Sequence, residues 1–142
     1  MVQKHEGFSA VPYKCPTGHL TIGYGHVIKN GEDLTSVTLS QAEELLRNDL
    51  EIAGEAVKRH VKVPLNNDQY SALASWFFNL GEKGSTIGST LIQNLNAEKY
   101  YLVPGQFGLW VIGYVNGKPV PLPGLIKRRS DEALLFISKL DL

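Results

Sequence analysis

A chain of 142 residues is long enough to bury most of the surface its unfolded form exposes, and its 43% hydrophobic and 20% charged content excludes a disordered segment. Fourteen Lys and Arg balance fourteen Asp and Glu, which excludes an overall field that recruits nucleic acid or anionic lipid by charge alone. The lone cysteine, Cys15, excludes an internal disulfide, and no apolar run approaches the roughly 20 residues of a membrane-spanning helix or forms a signal-peptide h-region.

Between Ala10 and Gly31, apolar and aromatic residues alternate with Gly, Pro and Asn, and Asn30-Gly31 is a strong turn signal; the pattern predicts a short β-hairpin or meander. Thr38 followed by Gln41 reads as a capping box, and Ala42, Leu45, Leu46, Ala53, Val57 and Val61 then recur at helical spacing until Pro64. Asn66 with Gln69 opens a second helix through Tyr70, Leu73, Ala74, Phe77 and Phe78, which Gly81 closes. Ser89 to Leu95 predicts a short helix. Helix and loop readings compete where glycines and prolines crowd after Pro104, and Gln106 to Val111 is taken as helical. A terminal helix is expected from Leu125 to Leu140, entered through Pro123-Gly124. Helices following a β-rich start give an α+β class in a single domain, with a β-rich lobe at about 10–31 and a helical lobe at about 38–142.

The chemistry concentrates in "HEGFSAVPYKCPTGHLTIGYGH", His5 to His26. Glycosidic cleavage needs a proton donor at the leaving oxygen and a second group to place a water or stabilise the transition state, and Glu6 is suited to the first role. Composition alone also allows Glu6 to be a solvated carboxylate. Cys15 stands in an expected turn with Lys14, Pro16, Thr17 and Gly18, which favours a reactive thiol over a small core residue, with Lys14, His19 and His26 as neighbours in sequence. Thr21 is either an ordinary strand residue or a hydroxyl that holds water. His5, His19, His26 and His60 have no zinc-site spacing, so no metal and no cofactor are expected.

Glu6, Cys15 and Thr21, with "TIGYGH" after them, resemble the catalytic signature of phage-type lysozymes, the endolysin family related to the T4 and lambdoid-phage enzymes. The similarity continues through "LSQAEELLRNDL", "VPLNNDQYSALASWFFNLG", "GSTLIQNLNAEKY" and "LPGLIKRRSDEALLF". The resemblance implies a lysozyme-like fold with the active-site cleft between the two lobes. It also implies hydrolysis of the β-1,4 bond between N-acetylmuramic acid and N-acetylglucosamine in bacterial peptidoglycan.

Carried over, the pattern makes Glu6 the general acid, Cys15 the occupant of a position often held by aspartate, and Thr21 the third member. It implies substrate contacts at Gly23, Gly25, His26, Phe78, Asn79 and Thr90. Arg128 and Arg129 match terminal-helix arginines; each is read either as orienting Glu6 or as a solvent-facing residue. Trp76 and Trp110 read as packing residues. Relatives carry a longer segment before the acid, including a helix that positions it, so a truncated N-terminus is expected, and "VPGQFGLWVIGYVNGKPVPLPG" departs from a more regularly helical pattern.

The expected setting is a monomer made in the host cytoplasm that acts on the wall after release or export, with no export or anchor segment of its own and neither nucleic acid nor membrane as a partner. Two other functions stay open on the residues alone: a cysteine peptidase acting on peptidoglycan stem peptides through Cys15, and a wall-binding module without turnover.

Overall fold

The computed structural model describes residues 1–15 and 18–140; the turn expected at Pro16 and Thr17 falls outside the described residues. The chain gathers into two compact units, Met1–Asp49 with Gly113–Val120, and Leu50–Ile112 with Pro121–Leu142. Among the described residues, no helix is long and apolar enough to cross a membrane.

The first unit begins with α1 (Val2–Glu6), a helical turn formed by the few residues before the predicted acid, and Gly7 at φ 66 ends it. The expected meander is a three-stranded antiparallel sheet of β1 (Ser9–Lys14), β2 (Leu20–Gly23) and β3 (His26–Val27). Ser9 faces Gly23 while Tyr13 faces Thr21, so β1 carries extra residues between those pairs. Pro12 lies in that bulge, where its missing N–H costs no ladder bond. Beyond β3, the Glu32 N–H donates to the Lys29 carbonyl at 3.1 Å. Gly31 supplies the positive φ of 91° that this turn requires.

The helix α2 (Leu39–His60) starts where the sequence places it. The Thr38 N–H donates to Gln41 Oε1 and the Gln41 N–H to Thr38 Oγ1, a reciprocal capping box. Its first half contributes Ala42 and Leu45 to a small core with Ile22 and Val37. Gly23 is needed there, because a Cβ at that position would stand 3.1 Å from Ala42 Cβ.

In the second unit α3 (Asn67–Leu80) has the same reciprocal cap between Asn66 and Gln69, and Gly81 closes it at φ 80. A turn not anticipated from the sequence, α4 (Gly84–Ile87), is held by the Thr86 hydroxyl, which accepts from the Lys83 N–H and donates to the Gly81 carbonyl. The short helix α5 (Thr90–Asn96) follows its Ser89 cap. The core gathers Leu73, Trp76, Leu91, Leu95, Phe107 and Phe136, all fully buried. Each aliphatic or Phe side chain among them contributes roughly 1.5–3 kcal/mol by leaving water. Trp76 meets Trp110, Phe107 and Phe77 edge-on with ring centroids 5.4, 6.3 and 4.9 Å apart, so both tryptophans pack as expected.

The helix expected at Gln106–Val111 is corrected: α6 spans Val103–Phe107. Pro104 is tolerated in its first turn, where no intrahelical N–H partner is lost. The chain then forms a hairpin of β4 (Ile112–Val115) and β5 (Lys118–Pro121). Asn116 at φ 52 and Gly117 at φ 77 form the two-residue connection, the positive-φ pair that matches the twist of flanking strands. The terminal helix α7 (Pro123–Ile137) begins two residues earlier than expected, with Pro123 in its first turn.

Candidate active site

Sequence neighbours and the β1–β2 register assemble one group of chemical side chains in the first unit. Glu6 ends α1 half-buried, and its carboxyl lies on the backbone of Gly25. A Cβ built at Gly25 would come within 2.5 Å of Glu6 Oε2 and 2.6 Å of Cδ, so the missing side chain is the space the acid occupies. Gly25 also holds φ 78. Gly7 and Gly25 thus release the chain on either side of the carboxyl.

Thr21 is buried in β2, and its hydroxyl donates to the His19 carbonyl at 2.9 Å. That leaves the oxygen's lone pairs for another partner. Cys15 follows β1 half-buried; its N–H donates to the same His19 carbonyl at 2.9 Å and its own carbonyl accepts from the Gly18 N–H at 2.8 Å. Tyr13, opposite Thr21, was not singled out by the sequence. Burial first, then the negative charges of Glu6 and Cys15, push its phenol above the ordinary value.

His26 occupies a different position from an open sugar contact. It is buried, with Nδ1 2.8 Å from Asp49 Oδ2 and Nε2 3.1 Å from both oxygens of Glu32. Both ring nitrogens are engaged by carboxylates, so the side chain ties the segment after Gly25 to α2 and to the following turn. The Lys29 N–H, and then His26, hold the Glu32 carboxyl below its usual range.

Of the candidates in the second unit, Phe78 and Asn79 stand half-buried near the end of α3, and Thr90 opens α5 exposed. Arg128 and Arg129 are 3% and 1% exposed, which corrects the solvent-facing alternative. Arg128 donates to the Ser75 carbonyl and pairs with Glu132, and its guanidinium carbon lies 5.8 Å from the Phe78 ring centroid. Arg129 donates to Glu132, Asn79 Oδ1 and, at 2.9 Å, the Trp110 carbonyl. The fully buried Glu132 also accepts from the Ser75 hydroxyl at 2.6 Å. Glu132 was not anticipated, although its spacing of three and four residues from the arginines signals a helical ion pair.

The family model for phage lysozyme matches residues 3–132. The chain belongs to the phage lysozyme family. It is a lysozyme-type glycoside hydrolase, as its relatives indicate. It is 40% identical to an endolysin of Acyrthosiphon pisum secondary endosymbiont phage 1, over 97% of this chain and 93% of that one. Among solved structures, it matches the endolysin of Escherichia coli O157:H7 phage FAHEc1 with a TM-score of 0.85 and 30% identity, over 99% of this chain and 90% of that one. It also matches the muramidase domain of SpmX from Asticaccaulis excentricus with a TM-score of 0.83 and 32% identity, over 96% of this chain and 91% of that one. The lysozyme-like α+β architecture implied by the sequence is therefore the fold of this chain.

Proposed function

We propose that this phage lysozyme hydrolyses the β-1,4 bond between N-acetylmuramic acid and N-acetylglucosamine in bacterial peptidoglycan, with Glu6 as the general acid. The observation that carries the reading is the seat of the Glu6 carboxyl on Gly25, within the same unit as Cys15 and Thr21. Glu6 gives its proton to the bridging oxygen as the glycosidic bond breaks, and a water adds to the anomeric carbon. Cys15 is the partner that holds this water. Thr21 offers the water its free lone pairs.

Gly25 places backbone beside the acid, whereas Gly23 is buried against Ala42 and does not meet sugar; in the second unit, Phe78, Asn79 and Thr90 are taken by themselves as sugar contacts. With its carbonyl committed to Arg129, Asn79 retains amide N–H groups to donate to an N-acetyl oxygen. His26 acts through the position of Gly25, and Arg128 and Arg129 hold the framework of their own unit through Glu132, Ser75 and Asn79. The enzyme works as a monomer on the wall after release or export from the host cytoplasm.

The test is end-group analysis on purified cell walls. Muramidase action releases new reducing ends, which is the expected result. Release of free amino groups instead would establish a peptidase working through Cys15, and co-sedimentation with neither product would establish a binding module; each of these overturns the proposal.

A further inference from the structure

We propose that Phe8 and Tyr24 are positioning residues for the hydrolysis, a pair of rings that ties the two sides of the acid's seat together. The inference rests on the reading of Glu6 as the acid. Ser9 faces Gly23 across β1 and β2, so the next opposed pair beyond the strands is Phe8 with Tyr24, and the one after it is Gly7 with Gly25. The rings of Phe8 and Tyr24 meet there, with centroids 5.6 Å apart and planes tilted by 53°. Next to them, the carboxyl of Glu6 lies on the backbone of Gly25.

Both arms of this seat need an anchor. The helix α1 has five residues, too few to stand on its own backbone bonds, so the direction in which it presents Glu6 depends on contacts outside that turn. The chain on each side of the seat also runs through glycine: Gly7 follows the acid at φ 66, and Gly23 and Gly25 flank Tyr24 at φ 67 and φ 78. Glycine brings no side chain to fix these turns. Phe8 is therefore the first side chain after the acid, and Tyr24 is the one side chain between the two glycines of the other arm. Tyr24 packs on the small core of Ile22, Val37 and Ala42, whereas among the described residues Phe8 joins neither hydrophobic core and stands 40% exposed. Core burial does not account for Phe8; its contact with Tyr24 does. Through that contact, the arm that carries the carboxyl is pinned to the arm whose backbone the carboxyl lies on, and so to the core of its own unit.

A displacement of about 1 Å at a reacting group costs on the order of 10²-fold in rate, so a loosened seat lowers kcat. The strength of a tilted aromatic pair limits the loss to about tenfold. The experiment measures kcat and KM on solubilised murein strands for the native chain, Phe8→Ala, Tyr24→Ala, the double variant and Tyr24→Phe, with thermal unfolding of each. The expected result is a kcat about tenfold lower in each Ala variant with KM unchanged. The double variant loses no more than either single, because the contact is lost once. Tyr24→Phe keeps the ring and so keeps kcat within about twofold of native. A lowered Tm with native kcat, a change in KM alone, losses that multiply in the double variant, or a Tyr24→Phe as slow as Tyr24→Ala overturns the inference. Because Phe8 is exposed, its truncation leaves the core intact, and Phe8→Ala decides the matter by itself should Tyr24→Ala fold poorly. Glu6→Gln in the same assay separates the two readings: full activity in that variant removes the acid assignment itself, whereas an inactive Glu6→Gln beside a native kcat in Phe8→Ala removes the role of the ring pair alone.

Discussion

Replacing Gly25 by Ala is the sharpest perturbation of the acid that leaves the acid itself in place. The added Cβ would stand 2.5 Å from Glu6 Oε2 and 2.6 Å from Cδ, where ordinary contact begins at 3.4 Å, so the carboxyl has to move by about 1 Å. A displacement of about that size at a reacting group costs on the order of 10²-fold in rate. The substitution also places an L-residue at φ 78, which costs roughly 1–2 kcal/mol and lowers Tm by a few degrees. Gly31→Ala is the matched control. It imposes similar backbone strain at φ 91, with nothing within 4 Å of the new Cβ. Steady-state kinetics on peptidoglycan, with calorimetry of both variants, should show comparable loss of Tm but a loss of kcat/KM on the order of 100-fold only in Gly25→Ala. Native activity in Gly25→Ala, or an equal loss in Gly31→Ala, would refute the idea that Gly25 seats the acid.

Glu132→Ala deprives two buried guanidinium groups of a shared carboxylate and should destabilise the chain by about 3–5 kcal/mol in urea unfolding, against under 1 kcal/mol for an exposed pair such as Lys58–Glu55. Arg59 first, and then His60, hold the Glu82 carboxyl down to about 2, against an ordinary 4.5. Because the folded state favours the ionised form, this contribution is fully present above pH 4.5 and is lost as pH falls toward 2. Glu82→Gln should therefore flatten the fall of stability across that window in acid unfolding curves; an unchanged slope would contradict the pairing.

Local signals were legible because their partners lie a few residues apart. The caps at Thr38 and Asn66 each close over three residues, and the structure forms both with reciprocal bonds. The β4–β5 hairpin carried the same kind of mark, Asn116-Gly117, but its prolines and glycines masked the alternation that flanks it. Helical spacing also cannot announce that Arg128 and Arg129 are buried, since the groups that accept their hydrogen bonds include Ser75 and Asn79 on another helix. His26 shows the same limit: its carboxylate partners stand 6 and 23 residues away, and one belongs to a helix whose polar face reads as solvated. The position of Tyr13 opposite Thr21 depends on the bulge in β1, a change of register that alternation alone does not specify.

The most direct measurement is the rate at which Glu6→Gln releases reducing ends from purified murein, compared with the native chain at matched folding. Loss of a general acid should lower that rate by roughly 10²- to 10⁴-fold while the circular dichroism spectrum and Tm stay close to native. A variant that cleaves murein at the native rate would show that the proton comes from another group.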